Sequence, residues 1–523
     1  MFLKTGQLVA HNLLHAAVLS FVVLVCLVIR KKIDARQRNP KGLPLPPGPK
    51  GLPFIGSLFN MPVDRQWITY AKWSKPYGDM VYFEVLGQPF LVLCSLKRVN
   101  DLLEKRSSNY SDRVQTPMLM DLMDWGFAFT MLPYGSWWRR HRRSFNEHFH
   151  QNAVYKYQPV QTHEMKHFLN DLLVTPENFL HHIRHTFAAT IMRIAYGISI
   201  NPTNDPYISR AEECLEGLAA AGIAGSFWVD YIPALKYVPS WFPGASFRRK
   251  AAHWKKVNND LTDIPFKDVE EQMKAGKALP SLTTTFIEGL PPQNDPTYEE
   301  ERTIAKHTAA IAYVGGADTT VSSVQSFFLA MALYPEVQKK AQAELDRVVG
   351  PNRLPDFSDR RDLPYINAMV KETGRWNLVV PLAVPHMASH DDEYDGYFIP
   401  KGTIVYGNAW SILHDPTIYT NPSEYRPERY LKPDPGVRDP DVAVFGFGRR
   451  HMSDNSLYSI IASTLAVYDI RPPIGKDGMP EMPKPEFTTG LLTYPVPFKC
   501  TITPRSPAAE ALIRDSVSGT NND

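Results

Sequence analysis

A chain of 523 residues is long enough for one large enzyme domain or for roughly two or three average ones. Hydrophobic residues make up 44% and charged residues 21%, an ordinary globular composition. Lys and Arg total 57 against 54 Asp and Glu, a net charge of +3, so charge gives no argument for a nucleic-acid partner. The four cysteines, Cys26, Cys94, Cys214 and Cys500, are far apart and form no CxxC pair. Neither a disulfide framework nor a zinc site is indicated, and such sparse use fits a reducing compartment.

The first element is apolar. Leu13 to Ile29 reads LLHAAVLSFVVLVCLVI and, with Leu8 to Ala10 upstream, approaches the ~20 residues of a bilayer span. Arg30, Lys31 and Lys32 come directly after it, and excess positive charge places that flank on the cytosolic side. The run is long for a signal-peptide core and has no small-x-small cleavage site after it, so residues 1–32 read as a membrane anchor. Residues 33–60 read as a linker. In GLPLPPGPKGLPFIGSL, Pro44, Pro46, Pro47 and Pro49 fix φ and remove backbone donors, which gives a semi-rigid extended segment that holds the next domain at a set pose.

Residues 61–505 read as one large, mostly α domain with a small β-rich lobe. Met80 to Cys94 is a hairpin broken at Gly87-Gln88-Pro89. Asn109-Tyr110-Ser111 is a formal glycosylation sequon, expected to stay unmodified in a cytosolic domain. Glu299 to Leu333 contains no proline and predicts a long buried helix through the domain. In PEVQKKAQAELDRVVG, Val337, Ala341, Leu345 and Val348 form one stripe, and Gly350 stands where the helix should end. Gly396 to Trp410 reads as strand, turn, strand. The tail, residues 506–523, is polar and is expected to be disordered.

Four constellations carry chemistry, each with a bland alternative. Glu372 and Arg375 share a helix face, as a solvated pair would. Arg429, in EYRPERYL, could join them in a buried network, a structural lock. Gly315-Gly316 inside the long helix costs roughly 1 kcal/mol per glycine relative to alanine, which predicts close approach of something flat or bulky. Asp318 and Thr319 come next, an acid beside an alcohol that could relay protons into a dry site, or a kink capped by hydroxyls. Trp138 and Arg142, four apart in YGSWWRRHRR, could clamp an anion or belong to a solvated basic helix.

In this order, these pieces resemble the cytochrome P-450 family of heme-thiolate monooxygenases, most of all its membrane-bound fungal members. The resemblance covers nearly the whole chain: anchor, proline hinge, WxxxR, GGxDTT, ExxR, PERY and FGFGRR. It implies a mostly α fold in a single large helical domain with a small β-rich lobe and one N-terminal transmembrane helix. It implies heme b as cofactor and oxygen insertion into a lipophilic small molecule. It also implies an endoplasmic reticulum location with the catalytic domain cytosolic. No flavin or nicotinamide fingerprint is present, so electrons would come from NADPH through a membrane-bound flavoprotein reductase, met by some of Arg139, Arg140, His141 and Arg143. By resemblance, Trp138, Arg142, His386 and Arg450 hold heme propionates. Gly316 lines the distal pocket, and Asp318 and Thr319 deliver protons to dioxygen there. Phe445 and Gly448 belong to the proximal loop. Glu372, Arg375 and Arg429 form the buried triad. The residue after His386 is often Arg in relatives and is Met387 here.

One departure is large. Relatives continue the arginine pair with one residue and then Cys-Pro-Gly, whereas here Arg450 is succeeded directly by His451 and Met452. A block of about five residues is missing, up to ~17 Å of extended chain, with both flanks in the family's style. The axial cysteine is therefore absent, and Cys94, Cys214 and Cys500 lie in other segments. The expectation is a folded chain whose helix after Arg450 starts late or whose proximal loop is displaced. Three readings stay open: an ordinary monooxygenase whose gene or splice form is faulty here, a folded pseudoenzyme or membrane-bound interaction protein, and a heme protein ligated through His451.

Overall fold

The computed structural model of the chain describes residues 33–34, 36–222, 225–432, 436–444 and 451–518. The apolar run Leu13–Ile29 and the loop residues Phe445, Gly448 and Arg450 lie outside the described residues. Among the described residues, no helix is long and apolar enough to cross a membrane.

Helices dominate. The longer ones are Gln66–Tyr77 (α1), Ser136–Phe149 (α2), Gln158–Val174 (α3), Phe179–Tyr196 (α4), Pro206–Ala221 (α5) and Ser246–Lys274 (α6). They continue with Tyr298–Leu333 (α7), Pro335–Val348 (α8), Pro364–Trp376 (α9), His451–Val467 (α10) and Pro507–Ser518 (α11).

The 36-residue α7 organises the rest. Glu299, Glu300 and Glu301 in its first turn suit the positive end of the helix dipole. It ends just before Pro335, as an X-Pro step favours. Val321 to Ala332 are all buried, so this half is apolar all round, as a helix enclosed by others must be. That half packs with Phe168 of α3, Phe187 of α4, Leu345 of α8, Met369 of α9 and Ile461 of α10. The other half, Ala309 to Ala317, belongs to a second core with Met118 to Ala128, Ile191 of α4, Cys214 of α5 and Trp254 of α6. Asp318, Thr319 and Thr320 fall at the seam between the two cores.

The smaller lobe is a five-stranded sheet in the order β1-β2-β7-β4-β3, with Met80–Val85 (β1), Gln88–Leu93 (β2), Asp112–Arg113 (β3), His386–Met387 (β4) and Ile404–Gly407 (β7). The predicted hairpin forms, but its turn is Leu86-Gly87, with φ of 50° and 83°, a two-residue connection. Pro89 already lies in β2, where its missing N–H costs no bond to β7 because that pairing starts at Phe90. Gly396–Trp410 forms the expected strand, turn and strand, and its two strands join different sheets. Tyr397–Ile399 (β6) pairs with Asp392–Tyr394 (β5), and β7 crosses to the larger sheet after a turn at Gly402, φ 80°. Tyr468–Arg471 (β8) and Thr501–Pro504 (β9) make the third sheet.

The tail also departs from expectation, since Pro507–Ser518 is helical. Ser506 Oγ accepts the Ala509 N–H at 3.1 Å, as an N-cap does, and Ala509 and Ile513, four apart, are buried. Arg505 grips Asp346 through two bonds of 2.8 and 2.6 Å and fixes the entry.

The proline linker lies on the sheet lobe. Pro47 O accepts the Tyr82 N–H at 2.8 Å and Pro44 O the Phe398 N–H at 2.9 Å. Gly48 is forced by contact, because a Cβ there would sit 1.7 Å from Tyr82 O. Gly48→Ala is expected to cost about 1–3 kcal/mol, since backbone must move to admit the methyl. A urea midpoint unchanged from the parent would contradict this packing.

Candidate active site

The seam of α7 is where a long buried helix opens. Gly315 is exposed and Thr319 half-buried in a stretch whose neighbours are buried, so both face a hollow. Thr319 Oγ1 donates to Gly315 O at 2.8 Å, the local bond that a hydroxyl makes to the preceding turn. Asp318 is only 4% exposed and turns the other way. Its Oδ1 accepts from Arg184 Nη1 at 2.9 Å and its Oδ2 from the Tyr494 hydroxyl. Arg184 reaches on to Glu212 at 3.4 Å, which links the buried acid to the half-exposed surface of α5. Burial and the Asp318 charge push the Tyr494 phenol well above its ordinary value, so it stays a donor. Neither Arg184 nor Tyr494 was legible in the sequence. They stand 134 and 176 positions from Asp318 and belong to no local motif.

The two glycines have different reasons. A Cβ on Gly316 would meet Ile191 Cγ1 at 3.0 Å, so this residue allows α4 to approach. Gly315 has nothing within 4 Å and bares backbone toward the hollow.

A cationic cradle lies on the β3–β4 edge. Trp138 and Arg142 share a face of α2, the guanidinium 5.7 Å from the indole centre. Arg113 donates to Val384 O at 2.7 Å and Pro385 O at 3.2 Å. Loss of water, then the Arg142 charge, lowers Arg113 to about 10. His386 pairs with Arg113 across β3 and β4 and is lowered to about 3 by burial and then by Arg113. Its Nδ1 is buried with no hydrogen-bond partner. A cluster whose charges repel and whose imidazole nitrogen is orphaned suits a carboxylate guest. Arg113 is a residue that sequence reasoning missed, because the β3–β4 pairing that brings it to His386 joins segments far apart in the chain.

The triad is a lock. Glu372 accepts from Arg375 Nε and Nη2, both at 2.8 Å, from Arg429 Nε at 3.3 Å and from the Arg426 N–H at 2.8 Å. Arg375 also binds Leu413 O and Pro422 O, and Arg429 binds Thr420 O and Asn421 O, so the network staples α9 to the 413–430 segment. All three side chains are at most 1% exposed. His414 lies beside them, stacked on Trp410, and burial with the Arg375 charge lowers it to about 3.

His414 and His307, the latter lowered to about 4 by burial and His141, predict acid lability. The unfolded imidazoles titrate near ~6.5, so below that pH the unfolded chain binds more protons. Their contribution is fully present above about pH 6.5 and is lost as pH falls toward 4 and 3. The urea midpoint should fall from about pH 7 to about pH 5, and His307→Asn should flatten part of that slope. A midpoint flat over this range would contradict the assignment.

On the side opposite the seam, the sequence has no cysteine between Cys214 and Cys500. Burial raises Cys94 to about 11 and Cys214 and Cys500 to about 12, so none is a thiolate by environment. The chain is helical from His451, the first described residue after Arg450, so a late start is not found; the alternative expectation, a displaced loop at residues 445–450, lies outside the described residues. The first turn of α10 is pinned. Asp454 pairs with Arg360 at 2.8 Å, Ser453 Oγ lies 3.2 Å from Thr320 Oγ1, and Gln161 Nε2 donates to Met452 O at 3.2 Å. The cradle and the seam thus fit heme b, with its two carboxylate arms, while the sequence from Arg450 into α10 has no cysteine thiolate for its iron.

The cytochrome P450 family profile matches residues 46–501. The cytochrome P450 monooxygenase COX2 of Coprinopsis cinerea is 47% identical over 502 residues, covering 94% of this chain and 95% of the relative. Cytochrome P450 monooxygenase 98 of Postia placenta is 42% identical, covering 97% and 98%, and the tryptamine 4-monooxygenase of Psilocybe cyanescens is 41% identical, covering 95% and 100%. With match and fold in agreement, the chain is a member of the cytochrome P450 monooxygenase family.

Proposed function

We propose that this protein is a membrane-anchored monooxygenase that places one oxygen atom of dioxygen into a lipophilic small molecule, and that the chain as written cannot do so. The observation that carries both halves is the contrast between a cationic cradle, with Arg113, Arg142 and His386, and a sequence that passes from Arg450 to His451 without cysteine. A cysteine thiolate donates electron density to heme iron and favours O–O cleavage. Around that centre, Arg113, Arg142, Trp138 and His386 would hold the carboxylate arms. Asp318, held by Arg184 and Tyr494, would connect the hollow to surface protons. The apolar side chains Trp125 and Phe127 in the second core support a lipophilic substrate.

Electrons would come from NADPH through a separate flavoprotein reductase. Arg140 is committed to Glu300 at 2.5 Å and Glu301 at 2.8 Å, which leaves exposed Arg139 and Arg143 to meet an acidic partner. With the missing block restored, turnover under labelled dioxygen should put one label into an apolar substrate, and only when the reductase is present. Turnover with NADPH alone would contradict the partner.

The anchor at residues 1–32 would place the domain on the cytosolic face of the endoplasmic reticulum. Asn109 should then stay without glycan; its side chain donates to His390 O at 3.3 Å and accepts the His390 N–H at 2.7 Å. A glycan on Asn109, seen as a shift on endoglycosidase treatment, would reverse the topology. The second reading, a folded pseudoenzyme, is favoured by one observation: the triad and both cores are built without the missing block.

A further inference from the structure

Two walls flank the site described above, the second core on the α7 side and the sheet lobe on the cradle side. A single helical turn, Trp228–Tyr231, touches both. Val229 is buried in the second core, with Trp125, Phe127 and the Gly315 half of α7. Tyr231 packs instead against the sheet-lobe core of Trp67, Phe90 and Leu382. Asp230, between them, stands where the two walls meet.

This acid is built unlike its neighbours. Asp121 pairs with Lys236 at 2.7 Å and Asp124 with Lys255 at 3.0 Å. Among the described residues, no Lys, Arg or His pairs with Asp230. Its Oδ1 accepts the Met118 N–H at 3.1 Å, and its Oδ2 is buried with no hydrogen-bond partner. Burial pushes the carboxyl up to about 6, although the backbone N–H groups of Met118, Gly225 and Phe227 favour its charge. At neutral pH the group is thus mostly ionised, and a buried charge without a partner is costly. Tyr231 beside it stays a neutral phenol, raised by burial and then by the Asp230 charge. Trp125 and Phe127, their rings 5.1 Å apart, belong to the same core as Met118 and Val229. A carboxylate that lacks a cation, set beside aromatic faces, is the chemistry that receives an ammonium group.

We propose that Asp230 selects the guest of the hollow, and that this guest is a lipophilic amine. Its ammonium group pairs with Asp230 Oδ2 while its apolar body lies along Trp125 and Phe127. Reaching the covered Oδ2 asks for a local shift of the one turn that carries it. A neutral guest leaves the carboxylate unpaired and an acidic guest meets a like charge, so both are disfavoured. The proposal rests on the hollow being a site for lipophilic small molecules and adds the charge of the molecule it takes.

The test uses the full chain in detergent and two probes of one shape, 4-phenylbutylamine and 4-phenylbutanol, titrated by calorimetry. At about pH 7.5 the amine is protonated and should bind about tenfold more tightly than the alcohol. That preference should fade as pH is lowered through about 6, with the alcohol's affinity level, because the protonated acid no longer attracts a cation. Asp230→Asn keeps an oxygen for the Met118 N–H, should hold or raise the urea midpoint, and should bind both probes equally at every pH. If that variant loses its fold, the pH profile of the parent decides alone. Equal affinity of the parent for both probes, a preference that ignores pH, or a preference that a folded Asp230→Asn retains overturns the proposal. If neither probe binds, the lipophilic hollow fails, and this proposal with it.

Discussion

Glu372→Ala is expected to leave the chain unable to hold its native fold. The substitution removes the carboxylate that Arg375 and Arg429 share, and both guanidiniums stay in a site with at most 1% exposure. Breaking a buried pair by taking one partner costs about 3–5 kcal/mol, because the remaining charge is uncompensated. Here two charges are stranded, and the Arg426 N–H loses its acceptor as well. A domain stable by about 5–15 kcal/mol loses much of its margin in one step. Glu372→Gln keeps the shape and one acceptor oxygen and should be milder, and Arg375→Lys should fall between them because a lysine cannot make the paired bonds of Nε and Nη2. Urea midpoints in the chain as written, and again with the cysteine block restored, should show the same loss, since the network joins α9 to the 413–430 segment and touches no cofactor. A Glu372→Ala midpoint within about 0.5 kcal/mol of the parent would contradict the lock.

Much of this architecture could be read from the residues. A proline-free run from Glu299 to Leu333 left little but helix, and α7 spans Tyr298–Leu333. Glu372 and Arg375 were legible because their spacing is local. The triad's third member, Arg429, was read as a possible partner in a buried network, and the resemblance then named it as part of the triad. What stayed hidden depends on tertiary approach. Arg184 and Tyr494 come to Asp318 from distant segments, and Arg113 comes to His386 through strands of two residues each, too short to announce themselves. The roles of Gly315 and Gly316 separate only once Ile191 is seen against one of them. The tail was hidden by composition: polar residues outnumber the apolar contacts, among them Ala509, Leu512 and Ile513, that fold it onto the domain.

The second large effect concerns the proximal side. Inserting a five-residue block that contains Cys-Pro-Gly between Arg450 and His451 should produce an oxygenase activity that the chain as written is expected to lack, a change of about the whole catalytic effect. The scaffold for that repair is in place. The triad is closed, α10 is pinned from its first turn by Arg360, Thr320 and Gln161, and the cradle of Arg113, Arg142 and His386 faces no thiolate-bearing loop in the sequence as written. The three described cysteines lie in other segments, Cys94 after β2, Cys214 in α5 and Cys500 before β9, and none of them is in the stretch that leads into α10. Replacing the inserted cysteine by serine should return the repaired chain to inactivity while leaving its urea midpoint near that of the repaired parent, which separates loss of the ligand from loss of the fold.

The most direct measurement is the absorbance of the heme-loaded, reduced, carbonyl-bound protein, recorded for the chain as written and for the repaired chain side by side. A thiolate-type band is expected only after repair, and none from the chain as written. A thiolate-type band from the chain as written would mean that one of its own cysteines reaches the iron, and would contradict the claim that the missing block alone carried the ligand.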